Sequence, residues 1–141
     1  MNIYQLKIIL ITIYNRMSFR SASLVIILKN NNEFLSVSLR RDHNDMNMPG
    51  GMVKKKETPV QAGIREIKEE TGLDIKNLKF LYKDFEEDIM VYTYYTFDYE
   101  GEIFTEEDHV IKWLPLENLN ISKNWQKYNS TCYELIKSIL N

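Results

Sequence analysis

The stretch 47-NMPGGMVKKKETPVQAGIREIKEETGLDI-75 holds two adjacent glycines, three consecutive lysines, a Thr-Pro pair and four glutamates. Thr58 offers an N-cap, Pro59 takes the first helical position, and Gln61 completes a T-x-x-Q capping box. Gly72 supplies the stop, so the spacing predicts a helix over residues 59–71. At about 100° per residue, Glu69 and Glu70 fall on either side of Glu66, and the three carboxylates share one face. Val60, Ile64 and Ile67 fall on the other side, as anchors to a sheet. Ala62 and Gly63 lie on the acidic face one turn earlier, where small side chains leave room for something to approach. Glu66 and Glu70 are an i,i+4 like-charge pair, which costs an isolated helix about 0.2–0.5 kcal/mol. A divalent cation would reverse that sign. Many acidic helix faces are merely solvated, and it is the Pro-Gly-Gly loop before this one that points to a ligand, because it lets backbone groups come close. Hard anionic oxygens of this kind suit Mg²⁺ or Mn²⁺, which bridge phosphate oxygens and make a bound water a better nucleophile.

Outward from this segment the pattern is one of strands. SASLVIILK (21–29) is a β-branched run followed by NNN, and EFLSVSLRR then alternates Phe34, Ser36 and Ser38 against Leu35, Val37 and Leu39. DHNDMNMPGG reads as loop, while LKFLYKDF (78–85), IMVYTYYTFDYE (89–100) and VIKWLPL (110–116) read as three more strands. Trp125, Tyr128, Cys132, Leu135, Ile136 and Ile139 recur at helical steps and describe one apolar stripe. The apolar run IYQLKIILITIY (3–14) is shorter than the roughly 20 residues a bilayer needs and carries Lys7. It is expected to form an additional first strand, or else to belong to an extension, residues 1–16, upstream of a start at Met17. The fold class is α/β, with a mixed sheet covered by helices.

The 141 residues fit one domain, 1–141, with a core of ordinary size. A net charge of −2 excludes a general electrostatic attraction to nucleic acid or an anionic membrane, so an anionic ligand needs a cation to mediate. Cys132 is alone, which excludes an internal disulfide and fits a cytoplasmic location. One cysteine and two histidines make no zinc site.

Gly51, five residues, Glu57, seven residues and then Arg65-Glu66-Ile67-Lys68-Glu69-Glu70-Thr71-Gly72-Leu73 match the Nudix box at every defined position, and the chain resembles the Nudix hydrolases. The flanks FLSVSLRR, MPGG and VIKWLPLENL are similar to the strand, loop and closing strand around that box. The resemblance implies a Nudix-type α/β/α sandwich with a mixed β-sheet and a catalytic loop-helix-loop. It implies metal-dependent hydrolysis of a nucleoside diphosphate linked to another group, by water attack at phosphorus, with Mg²⁺ or Mn²⁺ as cofactor. It makes Glu66, Glu69 and Glu70 metal ligands, with the carbonyl of Gly51 beside them in the Gly50–Gly51 loop. Arg65 orients the carboxylates, and Glu57 supports the loop-helix junction by pairing with Arg65. A further carboxylate is expected from Glu106, Glu107 or Asp108, with Glu107 favoured by its distance from Trp113. Arg40 is a candidate phosphate contact. His43 and His109 show no partner pattern and read as loop residues.

The family's ADP-ribose hydrolases carry a proline after the box, and residues 74–114 contain none. Met46 stands where the family often has a tryptophan. The remaining resemblance is to the mutator-T-like group, which takes (deoxy)nucleoside triphosphates, oxidised ones among them, to monophosphate and pyrophosphate. Dinucleoside polyphosphates, nucleotide sugars and RNA 5′ ends are alternative substrates. A module of the same fold that binds nucleotide or RNA without turnover is the alternative of another class. The expected partner is a small nucleotide, without nucleic acid or membrane, and the chain is expected to be a monomer or homodimer.

Overall fold

The run LVIIL at residues 24–28 is apolar throughout because both its faces are covered. In the computed structural model, which describes residues 1–16 and 19–141, it lies in β1 (Arg20–Lys29), buried from Ala22 to Leu28. Leu24, Ile26 and Leu28 point into one core, and Val25 and Ile27 into the other. Around β1 the chain lays down β2 (Glu33–Ser38), β3 (Met46–Asn47), β4 (Gly50–Met52), β5 (Asp74–Lys76), β6 (Lys79–Glu86), β7 (Ile89–Thr96), β8 (Asp98–Glu100) and β9 (Ile111–Pro115). The main sheet runs β3-β2-β1-β7-β6, with β4 added on β1 and β9 on β2. Only the β1–β7 pair is parallel among the described pairings, so the sheet is mixed.

Among the described residues three α-helices accompany the strands, α1 (Ile3–Arg16), α2 (Pro59–Thr71) and α3 (Gln126–Leu140), with a 3-10 helix at Leu116–Ile121. On one face of the sheet α2 sets Ile67 against Val25, Ile27 and Leu35, and on the other α3 sets Tyr128, Cys132 and Ile136 against Leu24, Ile26 and Phe34. The fold is therefore an α/β sandwich with helices on both sides. The ends of α2 follow from its sequence. The Thr58 hydroxyl accepts from Gln61 N–H, the Gln61 side chain accepts from Thr58 N–H, and Gly72 closes the helix in the left-handed region at φ +80°.

Several expectations are corrected. Residues 3–14 lie in α1 and not in a strand, because Asn2 and Gln5 cap it reciprocally: Gln5 N–H donates to Asn2 Oδ1 and Asn2 N–H to Gln5 Oε1. That local cap outweighs the strand preference of the isoleucines. Met17, the alternative start, lies outside the described residues. Val60 and Ile64 do not anchor α2; they are exposed, and Ala62, Gly63, Ile67 and Thr71 are its buried residues. A Cβ at Gly63 would lie 3.1 Å from Ser23 Oγ and 3.2 Å from Val25 Cγ2. The small residues thus bring the helix backbone down onto β1 and do not open space for a ligand. The segment 89–100 divides at Phe97, and its second part, β8, leaves the main sheet to pair with β5. Trp125 precedes α3 in the left-handed region at φ +57°, and Leu135 and Ile139 face solvent while Asn129 and Tyr133 are buried in their place.

This orientation of α3 predicts unequal costs in urea denaturation. Ile136→Ala should lose about 2–5 kcal/mol as a core truncation, and Leu135→Ala or Ile139→Ala about 0.5 kcal/mol. Equal losses at the three positions would show that the face is wrongly placed.

Candidate active site

Two glycines bring backbone into contact with two carboxylates. Gly50 has φ +151°, and a Cβ there would run into Ser23 O and lie 2.8 Å from Leu24 Cα, so only glycine fits against β1. Its N–H donates to Glu70 Oε1 at 3.1 Å. At Gly51 a Cβ would lie 2.6 Å and 2.7 Å from the two carboxylate oxygens of Glu66. The pairing of β4 with β1 holds this loop in place, since Ser23 is opposite Gly51 and Leu24 opposite Gly50.

Arg65 ties the acidic face together. Its Nε and Nη2 take the two oxygens of Glu57 at 2.7 Å and 3.0 Å, a fork-on-fork pair. Nη1 donates to Glu66 Oε1 at 2.9 Å and to both Glu69 oxygens at 3.3 Å, and Nη2 also donates to Met52 O at 3.1 Å. Arg65 and its backbone contact hold Glu57 well below the usual carboxylate range, at about 2. Of the three box carboxylates, Glu69 is the exposed one, while Glu66 and Glu70 face the glycine loop.

Glu70 is the opposite case. Burial pushes its carboxyl up to about 8, with Glu66 and Glu107 adding like charge and the Gly50 N–H tempering the shift. Of the three downstream acids, Glu107 is therefore the one whose charge reaches Glu70. It is held by Arg40 at 3.2 Å and lies 3.4 Å from Nδ1 of His109. Arg40 thus rests on Glu107. His109 is not a plain loop residue. Its side chain is 3% exposed, and Nε2 donates to the backbone carbonyl of Glu70 at 2.9 Å, linking the last turn of α2 to the loop that carries Glu107. His43 lies 3.3 Å from Asp108 on the surface of the same loop. A lone histidine before a strand gave no sequence signal for such a bridge.

The donor chemistry fits a hard divalent cation, with the carboxyl oxygens of Glu66 and Glu70 against glycine backbone that admits close approach. Among the described residues, no three acidic, imidazole or thiol groups already stand as a closed cage. Arg65 accounts for this, because it engages Glu66 and Glu69.

Against Glu70 and Gly50 opens a cavity of about 390 Å³, lined also by Asp45, Asn47, Met48, Asn124 and Trp125. Sequence reasoning missed these residues, which come from the loop before the box and from the start of α3, 77 residues apart in the chain at Asn47 and Asn124. The only trace was an Asn-Trp pair at the head of an apolar helical stripe.

The NUDIX domain model matches residues 18–135. The chain belongs to the Nudix family. It is a MutT-like Nudix hydrolase that acts on phosphoanhydride bonds, and like Nudix hydrolases generally it needs a divalent cation. It is 28% identical over 107 residues to an 8-oxo-dGTP diphosphatase of Buchnera aphidicola, covering 73% of this chain and 82% of that protein. It is 30% identical over 102 residues to the 8-oxo-dGTP diphosphatase of Escherichia coli K12, covering 67% and 79%. The crystal structure of a MutT Nudix hydrolase from Burkholderia pseudomallei superposes with a TM-score of 0.68 at 19% identity, covering 84% of this chain and 98% of that one, and so shares the fold. Among the described residues of this Nudix chain, no helix is long and apolar enough to cross a membrane.

The crowding of Glu70 by Glu66 and Glu107 predicts that Glu70→Gln melts at the same temperature as the parent or higher in metal-free buffer. The amide keeps the acceptor for Gly50 N–H and, like the protonated carboxyl that burial favours, sets no charge beside Glu66 and Glu107. The same substitution should abolish the rise in melting temperature that Mn²⁺ gives the parent. A clear fall in the metal-free melting temperature would contradict this account of the site.

Proposed function

We propose that the protein hydrolyses (deoxy)nucleoside triphosphates to monophosphate and pyrophosphate, oxidised guanine nucleotides being candidate substrates. The observation that carries the reading is the contact of Gly50 and Gly51 with the Glu70 and Glu66 carboxylates, at the mouth of a cavity large enough for a nucleoside. The two relatives that act on 8-oxo-dGTP support the triphosphate class.

In this reading Glu66, Glu69, Glu70 and the Gly51 carbonyl would hold Mg²⁺ or Mn²⁺. Such a cation, when bound, would offset phosphate charge and make a water a better nucleophile. Arg65, fixed by Glu57, keeps Glu66 turned toward the loop, a task for a planar fork that lysine cannot reproduce. Glu107, carried beside Glu70 by His109, is the further carboxylate, and one of the site's acids takes the proton from the attacking water. Arg40 lies close enough to Glu107 to trade that contact for a phosphate oxygen. The nucleoside enters the cavity beside Trp125, and the β- and γ-phosphates leave together. A buried thiol at Cys132, pushed up to about 12 by burial, accords with a cytoplasmic protein that makes no use of its cysteine.

The test is release of pyrophosphate and monophosphate from nucleoside triphosphates by purified protein with Mg²⁺ or Mn²⁺, alongside dinucleoside polyphosphates, nucleotide sugars and a 5′-triphosphate RNA. Glu69→Gln should lower kcat at least about a hundredfold with the fold intact. Arg65→Lys should lower kcat/KM about 10- to 100-fold, as expected of a residue that orients ligands. Turnover confined to the other compounds would replace the substrate class, and unchanged rates in both variants would remove the site assignment.

A further inference from the structure

One wall of the cavity carries a charge that hydrolysis does not use. Asp45 is 4% exposed, and its backbone is fixed by Leu39 N–H donating to its carbonyl and by its own N–H donating to Asp42 O, each at 3.1 Å. Its Oδ2 accepts from Asn124 Nδ2 at 2.6 Å, and its Oδ1 has no hydrogen-bond partner. The neighbouring lysine, Lys123, donates instead to Asp42 at 3.0 Å. A buried carboxylate with an empty acceptor is an unsettled group, and it lies in the cavity that adjoins Gly50 and Glu70. Arg41, from the same loop, also lines the cavity, and the side-chain oxygen of Asn47 is occupied by Asn129 Nδ2 at 2.9 Å and by Met48 N–H at 2.7 Å. Asp45 is thus the acceptor left over. Asn124, whose amide meets Oδ2, is itself exposed at the cavity.

We propose that Asp45 is the specificity-determining residue of this site and accepts the adjacent N–H donors on the pairing edge of guanine. The proposal rests on the reading of the cavity as a nucleoside pocket. Guanine offers an imino N–H and an amino N–H₂ side by side, which a carboxylate meets with two oxygens. Adenine sets a ring-nitrogen lone pair at the corresponding place, cytosine offers its amino group beside an acceptor, and thymine and uracil flank one N–H with two carbonyls. Oxidation at C8 leaves the guanine edge unaltered, so Asp45 reads the base and is indifferent to its oxidation. The incoming edge takes over from the Asn124 amide and supplies the partner that Oδ1 lacks.

The test uses binding of monophosphate products, which needs no turnover. Isothermal titration of the full chain with dGMP, 8-oxo-dGMP, dIMP, N1-methyl-dGMP and dAMP in Mg²⁺ should rank dGMP and 8-oxo-dGMP together and first. N1-methyl-dGMP and dAMP should bind at least about tenfold more weakly, with dIMP between, because an acceptor built for a donor rejects the analogue that lacks it. In Asp45→Asn the dGMP-over-dAMP ratio should fall at least about tenfold, with the melting temperature showing that the variant is folded. Affinities for dGMP, N1-methyl-dGMP and dAMP within about threefold of one another in the native protein would overturn the proposal whatever the variant does. Binding ranked by the guanine edge without triphosphate turnover would uphold it and remove the hydrolytic reading, and turnover with no base preference would do the reverse.

Discussion

The site depends on one guanidinium. Arg65 spends its donors on Glu57, Glu66, Glu69 and the carbonyl of Met52, which joins the loop after β4 to two turns of α2. Without a cation there, Glu57, Glu66 and Glu69 would repel one another across a half-buried face. With it, the three acids are gathered on one planar cation, Glu57 through both oxygens and Glu66 and Glu69 through Nη1. Glu57 is the stable partner, held low in pKa by the fork, while Glu69 has the longest and most exposed contact.

That arrangement works only because the backbone opposite is bare. Gly50 and Gly51 lie so close to β1 and to the Glu66 carboxylate that any side chain would collide, and this closeness turns peptide N–H and C=O groups into part of the site. The same economy of side chain appears at Gly63, which lets α2 settle on Ser23 and Val25. Three glycines therefore set the height of the acidic helix above the sheet and the height of the loop above the helix. The β1 strand beneath them is buried on both faces, so its position is fixed by two cores at once, and the carboxylates inherit that rigidity.

Local chemistry explains how much of this was readable in the sequence. The bounds of α2 were legible because Thr58, Gln61 and Gly72 act within a few residues of themselves, and the pairing of Arg65 with Glu57 was implied by the resemblance to the Nudix box. The face that α2 buries was not. Valine and isoleucine look like anchors on a helical wheel, but contact with a sheet is decided by backbone approach, and there Gly63 outranks Val60 and Ile64. The N-terminal run misled for a related reason, since its isoleucines favour a strand and two polar residues, Asn2 and Gln5, cap it as a helix. The cavity wall was out of reach altogether. Asp45 and Asn124 meet through a hydrogen bond between distant segments, and His109 reaches Glu70 across 39 residues, so no local pattern announces either contact.

The central claim is that the Glu66 and Glu70 carboxylates, with the Gly51 carbonyl, form the cation site of this hydrolase. The most direct measurement is anomalous diffraction at the manganese edge from crystals of the protein soaked in Mn²⁺. The account predicts an anomalous peak within coordinating reach of both carboxylates and of the Gly51 carbonyl oxygen, with Glu69 drawn off Arg65 toward it. A peak confined to the exposed acids at Glu106 and Asp108, or none at all beside Glu66 and Glu70, would contradict it.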